Sequence, residues 1–396
     1  MLAFLDQVVA VTLMNLRALK ERAASSLVAI VGIAGVVLVL VAVLSIAEGF
    51  RATLTSAGSP DTALVLRAGS DTEMTSGLTL EDTKIIADSP EVLRDEQGAV
   101  ASAELFVIIA LPKISTGTDA NVPLRGVQPA AFSVREDLRI VEGRNFEPGR
   151  NEVIVGQGAQ GQFAGLGVGD LIELGQAQWT VVGVFTTGGT IADSELWCDA
   201  KVLQPAYRRG NSFQSVYSKL KSPEAFEAFK DALTSDARLN VKVMRETDYY
   251  AGQSTILITL IRTLGILIAI LMGLGAVFGA LITMYTAVAS RTREIATLRA
   301  IGFASMPVLI SVMAEALLLA VVGGLLGAGL SFLVFNGYQA ATMNWQTFSQ
   351  VTFAFAVTPK LMILGFLYSL ALGFVGGFFP ALAAARLPVA TALREA

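Results

Sequence analysis

The sequence predicts a membrane protein with four transmembrane helices, one before and three after a large α+β domain held outside the bilayer. Three observations carry this. Residues 23–47, 263–290, 307–335 and 361–385 are long apolar stretches, and only one charge, Glu315, falls inside any of them. A hydrocarbon core about 30 Å thick takes roughly 20 apolar helical residues to cross, and every stretch reaches that length. Hydrophobic residues also make up 53% of the chain and charged ones 16%, a balance too apolar for a soluble protein of this size.

Taken in order, residues 1–22 read as an interfacial amphipathic helix. Leu2, Leu5, Val9, Leu13 and Leu16 recur at helical spacing, and Arg17, Lys20 and Arg22 gather where the helix meets the first span. A cleavable signal fits poorly, because the basic residues come late and the apolar stretch after them exceeds an h-region of about 7–15 residues. Residues 23–48 form the first span and residues 49–255 the outer domain. There, strands at 62–67 and 99–111 flank a helix at 80–87, and strands at 215–220 and 241–245 flank a helix at 223–233. Strand-helix-strand twice is a split βαβ, porter-like subdomain. An insert at about 112–212, with short strands at 152–155, 170–174 and 178–185, reads as a second, mostly β lobe.

Residues 256–288 form the second span and 289–304 a short connecting helix. The third span, 305–337, starts on Ser305 as N-cap with Pro307 in its first turn. The fourth, 358–385, starts on Thr358 and Pro359, and Pro380 should kink it. Between them, 338–357 reads as an outer loop with Tyr338, Trp345, Phe348, Phe353 and Phe355 as interfacial aromatics. Residues 386–396 are a tail. Gly275/Gly279, Gly323/Gly327 and Gly373/Gly377 are spaced for close helix contact.

Arginine and lysine placement sets the orientation. Arg17, Lys20 and Arg22, then Arg291, Arg293 and Arg299, then Arg386 and Arg394 mark both termini and the 289–304 segment as cytoplasmic. Residues 49–255 and 338–357 then face outward. A net charge of −4 argues against nucleic acid as partner, while membrane lipid is implied by the spans. There is no histidine, which excludes histidine triads and histidine metal sites, and the single cysteine, Cys198, reads as a small core residue. No catalytic or metal-ligating constellation is visible. No G-x-x-x-x-G-K-[ST] phosphate loop exists; the nearest stretch, 156–162, lacks the lysine. Glu315, the intramembrane acid, reads as a carboxyl bonded to a neighbouring helix, since the spans hold no other acid for a proton relay.

The sharpest local pattern runs from Ala289 to Phe303, A-S-R-T-R-E-I-A-T-L-R-A-I-G-F. Ser290 is placed to cap a helix, Glu294 lies in its first turn, Arg299 near its end, and Gly302 supplies a left-handed stop. A helix this short is unstable alone in water and needs a surface to lie on. The segment resembles the coupling helix of the MacB/FtsX-like permeases, the type VII ABC transporters, with their pattern R-x-x-E-I-A-x-x-R-A-I-G. The run from Arg386 to Arg394, R-L-P-V-A-T-A-L-R, is similar to that family's closing motif. So are the outer segments from Glu142 to Phe146, Asn151 to Gly156, Trp179 to Phe185 and Ser194 to Trp197 to its periplasmic core domain.

The resemblance implies a non-catalytic permease subunit of an inner-membrane exporter. ATP and Mg would be bound by a separate ABC ATPase, two copies under two copies of this chain, and no cofactor by the chain itself. Ser290, Arg291, Arg293, Glu294, Ile295, Arg299 and Gly302 would couple to the ATPase, and Arg386, Pro388 and Arg394 would form a cytoplasmic tail contact. Motion would pass to the outer domain by mechanotransmission, with a periplasmic adaptor and outer-membrane channel, and substrates would be drugs, peptides, lipids or lipoproteins. An FtsX/BceB-like regulator of a cell-wall hydrolase or sensor kinase, or a LolC/LolE-like lipoprotein-release permease, are the alternatives.

Overall fold

The computed structural model describes residues 2–18 and 23–388. They form two compact units: a helical one (Met1–Glu48, Leu260–Tyr338, Ala356–Ala396) and a sheet-based one (Gly49–Thr259, Gln339–Phe355). In chain order the main elements are α1 (Leu2–Ala18), α2 (Ala23–Thr55), β1 (Thr62–Arg67), α3 (Leu80–Ala87), β2 (Ala101–Pro112), β3 (Asp119–Val127) and β4 (Arg139–Gly143). Next come β5 (Glu152–Gly156), β6 (Leu171–Leu174), β7 (Ala177–Thr186), β8 (Leu196–Asp199), α4 (Ala200–Ala206), β9 (Ser215–Lys219), α5 (Ala225–Ser235) and β10 (Val241–Arg245). The chain closes with α6 (Glu246–Ala289), α7 (Thr292–Ala300), α8 (Ser305–Phe335), β11 (Gln339–Asn344), β12 (Ser349–Ala354) and α9 (Pro359–Ala385).

In the sheet unit the strand order is β10-β1-β9-β2-β3-β8-β5-β7-β4, with β6 added on β7. The first four strands are antiparallel neighbours and, with α3 and α5, make the expected split βαβ. Thr79 and Asp82 start α3 with a reciprocal capping box. Phe226, Phe229 and Leu233 recur at helical spacing and bury α5. The insert, expected as a second, mostly β lobe, is mostly β and continues the same sheet. Strand β2 is twelve residues long and changes partner midway. Ala101–Glu104 pair with β9, and Leu105–Pro112 pair with β3. One apolar core therefore runs from Val65 and Val216 through Leu105 and Leu124 to Val153 and Trp179.

Residues 338–357, expected as a loop, contain the hairpin β11–β12, which belongs to the sheet unit. The Thr352 amide donates to Ser194 Oγ at 2.9 Å, and Asn121 Nδ2 donates to the Phe348 carbonyl at 2.8 Å. Phe353 is accordingly a core residue and not an interfacial aromatic, stacked edge-on to Phe50 at 5.5 Å. Tyr338, Trp345 and Phe348 are exposed.

In the helical unit α2, α6, α8 and α9 are each long and apolar enough to cross a membrane. Thr358 caps α9 as expected, accepting from the Leu361 amide, with Pro359 in the first turn. Ser305 does not cap α8; it is the first helical residue, and Ala304 holds the N-cap position without a side-chain bond. In α1, Val11 is buried within the protein, while Val9, 56% exposed, and Leu13 of the expected stripe face outward, where an interfacial helix would meet lipid. The side chains of Leu2, Leu5, Leu16, Arg17, Lys20 and Arg22 lie outside the described residues.

The glycine pairs differ from one another. A Cβ on Gly327 would meet the Ala34 carbonyl oxygen at 2.5 Å and Val37 Cβ at 2.8 Å, and one on Gly373 would collide with Ala320. A Cβ on Gly275 or Gly279 meets nothing within 4 Å. Gly327→Ala should therefore destabilise the α2–α8 contact by about 1–3 kcal/mol, the cost of overpacking. Gly279→Ala should be neutral or stabilising by up to about 1 kcal/mol through helix propensity. Melting of the purified protein in detergent separates the two; equal effects would refute this assignment of contacts.

Candidate functional site

The short helix α7 follows α6 after a two-residue turn. Ser290 is not its cap: its Oγ donates back to the Ala287 carbonyl at 3.0 Å, and Arg291 occupies the N-cap position without a capping side chain. A hydroxyl so close to the end of α6 finds its nearest acceptor in that helix. The other end follows expectation, with Glu294 in the first turn, Arg299 in the last, and Gly302 at φ +104° stopping the helix.

Two faces of α7 differ in kind. Arg291, Ile295 and Arg299 are spaced by four and share one face. Ile295 joins a core with Met284 and Val288 of α6, Val308 and Val312 of α8, and Ala384 of α9. Arg291 Nη1 reaches Glu315 Oε2 at 3.3 Å, and both residues are 4% exposed. The intramembrane acid thus has a cationic partner, supplied by α7's N-cap residue. At the other end, Arg299 Nη1 donates to the carbonyl oxygens of Ala385 and Leu387 at 3.0 and 2.9 Å. Those carbonyls are orphans of the α9 terminus, and a guanidinium satisfies them. Helix α7 is thereby fastened to α8 at its start and to the end of α9 at its finish.

The opposite face carries Arg293, Glu294, Thr297 and Ala300, all exposed, and continues into Ile301, which is 69% exposed. The residues singled out from sequence therefore divide: Arg291, Ile295 and Arg299 hold the helix, while Arg293 and Glu294 face away from it. Arg386 is the exposed C-cap residue of α9, and Pro388 is exposed beyond it. Arg394 lies outside the described residues.

The sheet unit holds a second cluster that sequence reading missed. Arg125 on β3 is 1% exposed and makes five hydrogen bonds to three carboxylates. Its Nε and Nη2 fork onto Glu195 at 2.7 and 2.8 Å, its Nη1 and Nη2 onto Glu73 at 2.7 and 3.1 Å, and Nη1 also reaches Glu104 at 2.9 Å. All five guanidinium N–H donors are matched, so none is left for a substrate. Arg135 binds Glu104 from the other side at 2.7 Å and lies over the Tyr217 ring at 4.2 Å. Trp197 Nε1 donates to Glu195 at 2.8 Å and Ser215 Oγ to Glu73 at 2.7 Å. Burial alone would raise the Glu73 carboxyl, but the Arg125 charge and the hydrogen bonds from Arg125 and Ser215 outweigh it and hold the group below its ordinary range.

This geometry can be set beside known proteins. Residues 26–236, more than half the chain, match the MacB-like periplasmic core domain, and residues 266–389 match the FtsX-like permease C-terminal domain. The chain belongs to the MacB/FtsX-like permease family. Its architecture is that of a membrane protein with four transmembrane helices, one plus three, and a large α+β domain of the periplasmic type. The macrolide export ATP-binding/permease protein MacB of Bdellovibrio bacteriovorus is 26% identical over 412 residues, covering 96% of this chain and 60% of that protein. MacB of Photorhabdus laumondii is 30% identical over 167 residues, covering 42% of this chain and 23% of that one. The chain thus spans only part of the curated relatives it matches. Among solved structures, the periplasmic region of MacB from Actinobacillus actinomycetemcomitans is 15% identical, with a TM-score of 0.36 over 48% of this chain and 90% of that one.

Proposed function

We propose that this MacB/FtsX-like permease works as the membrane subunit of an ABC exporter, and that α7 is the helix on which the ATPase acts. The observation that carries this reading is the division of α7 into a fastened inner face and a free outer face. A docked ATPase gripping Arg293, Glu294 and Ile301 would move α8 and α9 with α7, because the Arg291–Glu315 pair and the Arg299–carbonyl bonds hold the three helices together. Helices α2 and α6 each contribute residues to both units, which gives such motion a continuous backbone route to the sheet unit. ATP and Mg would bind an ABC ATPase, since these residues contain no phosphate loop.

In this reading two copies of the chain pair over two ATPases in the inner membrane. Both termini and α7 lie in the cytoplasm, as the arginine placement favours. The sheet unit works in the periplasm with an adaptor and outer-membrane channel, and substrate is drug, peptide, lipid or lipoprotein. Charge reversal at both exposed positions, Arg293→Glu with Glu294→Arg, tests it. Co-purification of the ATPase with the tagged chain should fall about tenfold or more, equivalent to about 1.4 kcal/mol. Undiminished recovery of the ATPase would refute docking at this face.

A further inference from the structure

The sheet unit contains a cleft of about 210 Å³ that the transport reading does not use. Its walls come from the segment after α2 (Ser56 to Pro60), residues 134–138, residues 187–192, Lys219 at the end of β9, and Glu246 and Tyr250 in the first turns of α6. Glu246 is 4% exposed, yet among the described residues it has no ion pair. Its one hydrogen bond is accepted from the Ser59 amide by Oε2 at 3.3 Å. An acid in the first turn of a helix gains from the helix dipole, but that gain does not require burial in a cavity wall.

The charges around the cleft are unbalanced in one direction. Behind the wall, Glu73, Glu104 and Glu195 share Arg125, and Glu104 also binds Arg135, whose side chain lines the cleft. Lys219, the other lining cation, lies between two carboxylates, Asp61 at 3.1 Å and Glu136 at 3.5 Å, and Asp137 lines the same cleft. Glu246 adds a further acid to a region where acids already outnumber cations. Such a low-dielectric recess concentrates positive ions. Tyr250, one helical turn beyond Glu246, lines the same cleft, and an aromatic ring favours an organic cation over a hydrated metal ion. The space holds roughly seven waters' volume at about 30 Å³ each, so an occupant is small.

We propose that this cleft binds a small organic ammonium ion, seated between the Glu246 carboxylate and the Tyr250 ring. The ion bridges the segment following α2 and the first turns of α6, and it supplies the positive charge that this corner of the sheet unit lacks. Burial pushes the Glu246 carboxyl above its ordinary range, and a cation seated beside it offsets that push.

Calorimetric titration of the full chain in detergent at neutral pH tests this, with choline as probe and its uncharged isostere 3,3-dimethylbutan-1-ol as control. Choline should bind with a dissociation constant of about 1 mM or tighter, and the alcohol at least about tenfold more weakly. Glu246→Gln keeps an acceptor for the Ser59 amide and should lower choline affinity about tenfold or more. Equal binding of choline and the alcohol to the wild-type chain would overturn the proposal without any variant being needed. So would undiminished choline binding by Glu246→Gln, or no heat with choline at about 10 mM.

Discussion

Arg291→Ala should stop transport while leaving the ATPase attached. Removing the guanidinium takes away the Arg291 bond to the buried Glu315, and breaking a buried ion pair from one side costs about 3–5 kcal/mol. The outer residues Arg293 and Glu294 are untouched, so the docking surface persists while this attachment to α8 is lost. Glu315→Ala should behave alike, because it breaks the same pair from the other side. Arg291→Glu combined with Glu315→Arg restores opposite charges and should recover a substantial part of both stability and transport. Three measurements on the single and double variants decide the matter: melting in detergent, ATPase co-purification and ATP-driven transport. Loss of co-purification in Arg291→Ala would show that Arg291 itself contacts the ATPase. Full transport by either single variant would show that the pair transmits nothing.

That division of α7 was partly legible. Arg291, Ile295 and Arg299 are four apart, so an apolar Ile295 on the inner face already assigns its neighbours to the same side. Assigning all three arginines alike to ATPase coupling hid this. The four apolar helices and both βαβ halves followed directly from hydropathy and alternation. Three other features did not. The joining of the insert to the sheet depends on β2 exchanging β9 for β3 at Leu105, and nothing in an apolar run marks where a strand changes partner. The β11–β12 hairpin is drawn into the sheet unit by hydrogen bonds to Ser194 and Asn121, residues more than a hundred positions away. N-caps at Ser290 and Ser305 failed by one position, because a serine names the region of a helix start and not its register. The Arg125 cluster had a sequence signal that went unread: Glu104 is the lone charge in β2, and Arg125 sits in the otherwise uncharged inner part of β3. Its other members, Glu73 and Glu195, could be added only by the fold. The run from Ser194 to Trp197 now has a chemical role, since Glu195 grips Arg125 and Trp197 orients Glu195.

That cluster gives the second large effect. Arg125→Met leaves Glu73, Glu104 and Glu195 buried with one guanidinium, Arg135, between them, and Arg135 touches only Glu104. The expected loss is about 3–5 kcal/mol at neutral pH. Arg125→Lys should lose less, because an ammonium keeps the charge but offers three donors where five are used. Intrinsic fluorescence suits the measurement, since Trp179 and Trp197 are both buried in the sheet unit. The pH dependence carries the sharper test. In the native chain Glu73 is held below its ordinary value of 4.5, so it contributes stability above that value and loses it as pH falls through its folded value. Without Arg125, burial acts on Glu73 unopposed by that charge, and it takes up a proton at higher pH. Acid then removes the stranded charges from the variant while it weakens the native chain. The difference in melting temperature between the two should shrink steadily as pH is lowered below about 5. A gap that stays constant with pH would mean that Arg125 stabilises the sheet unit by packing on Phe106 and Tyr217 rather than by charge.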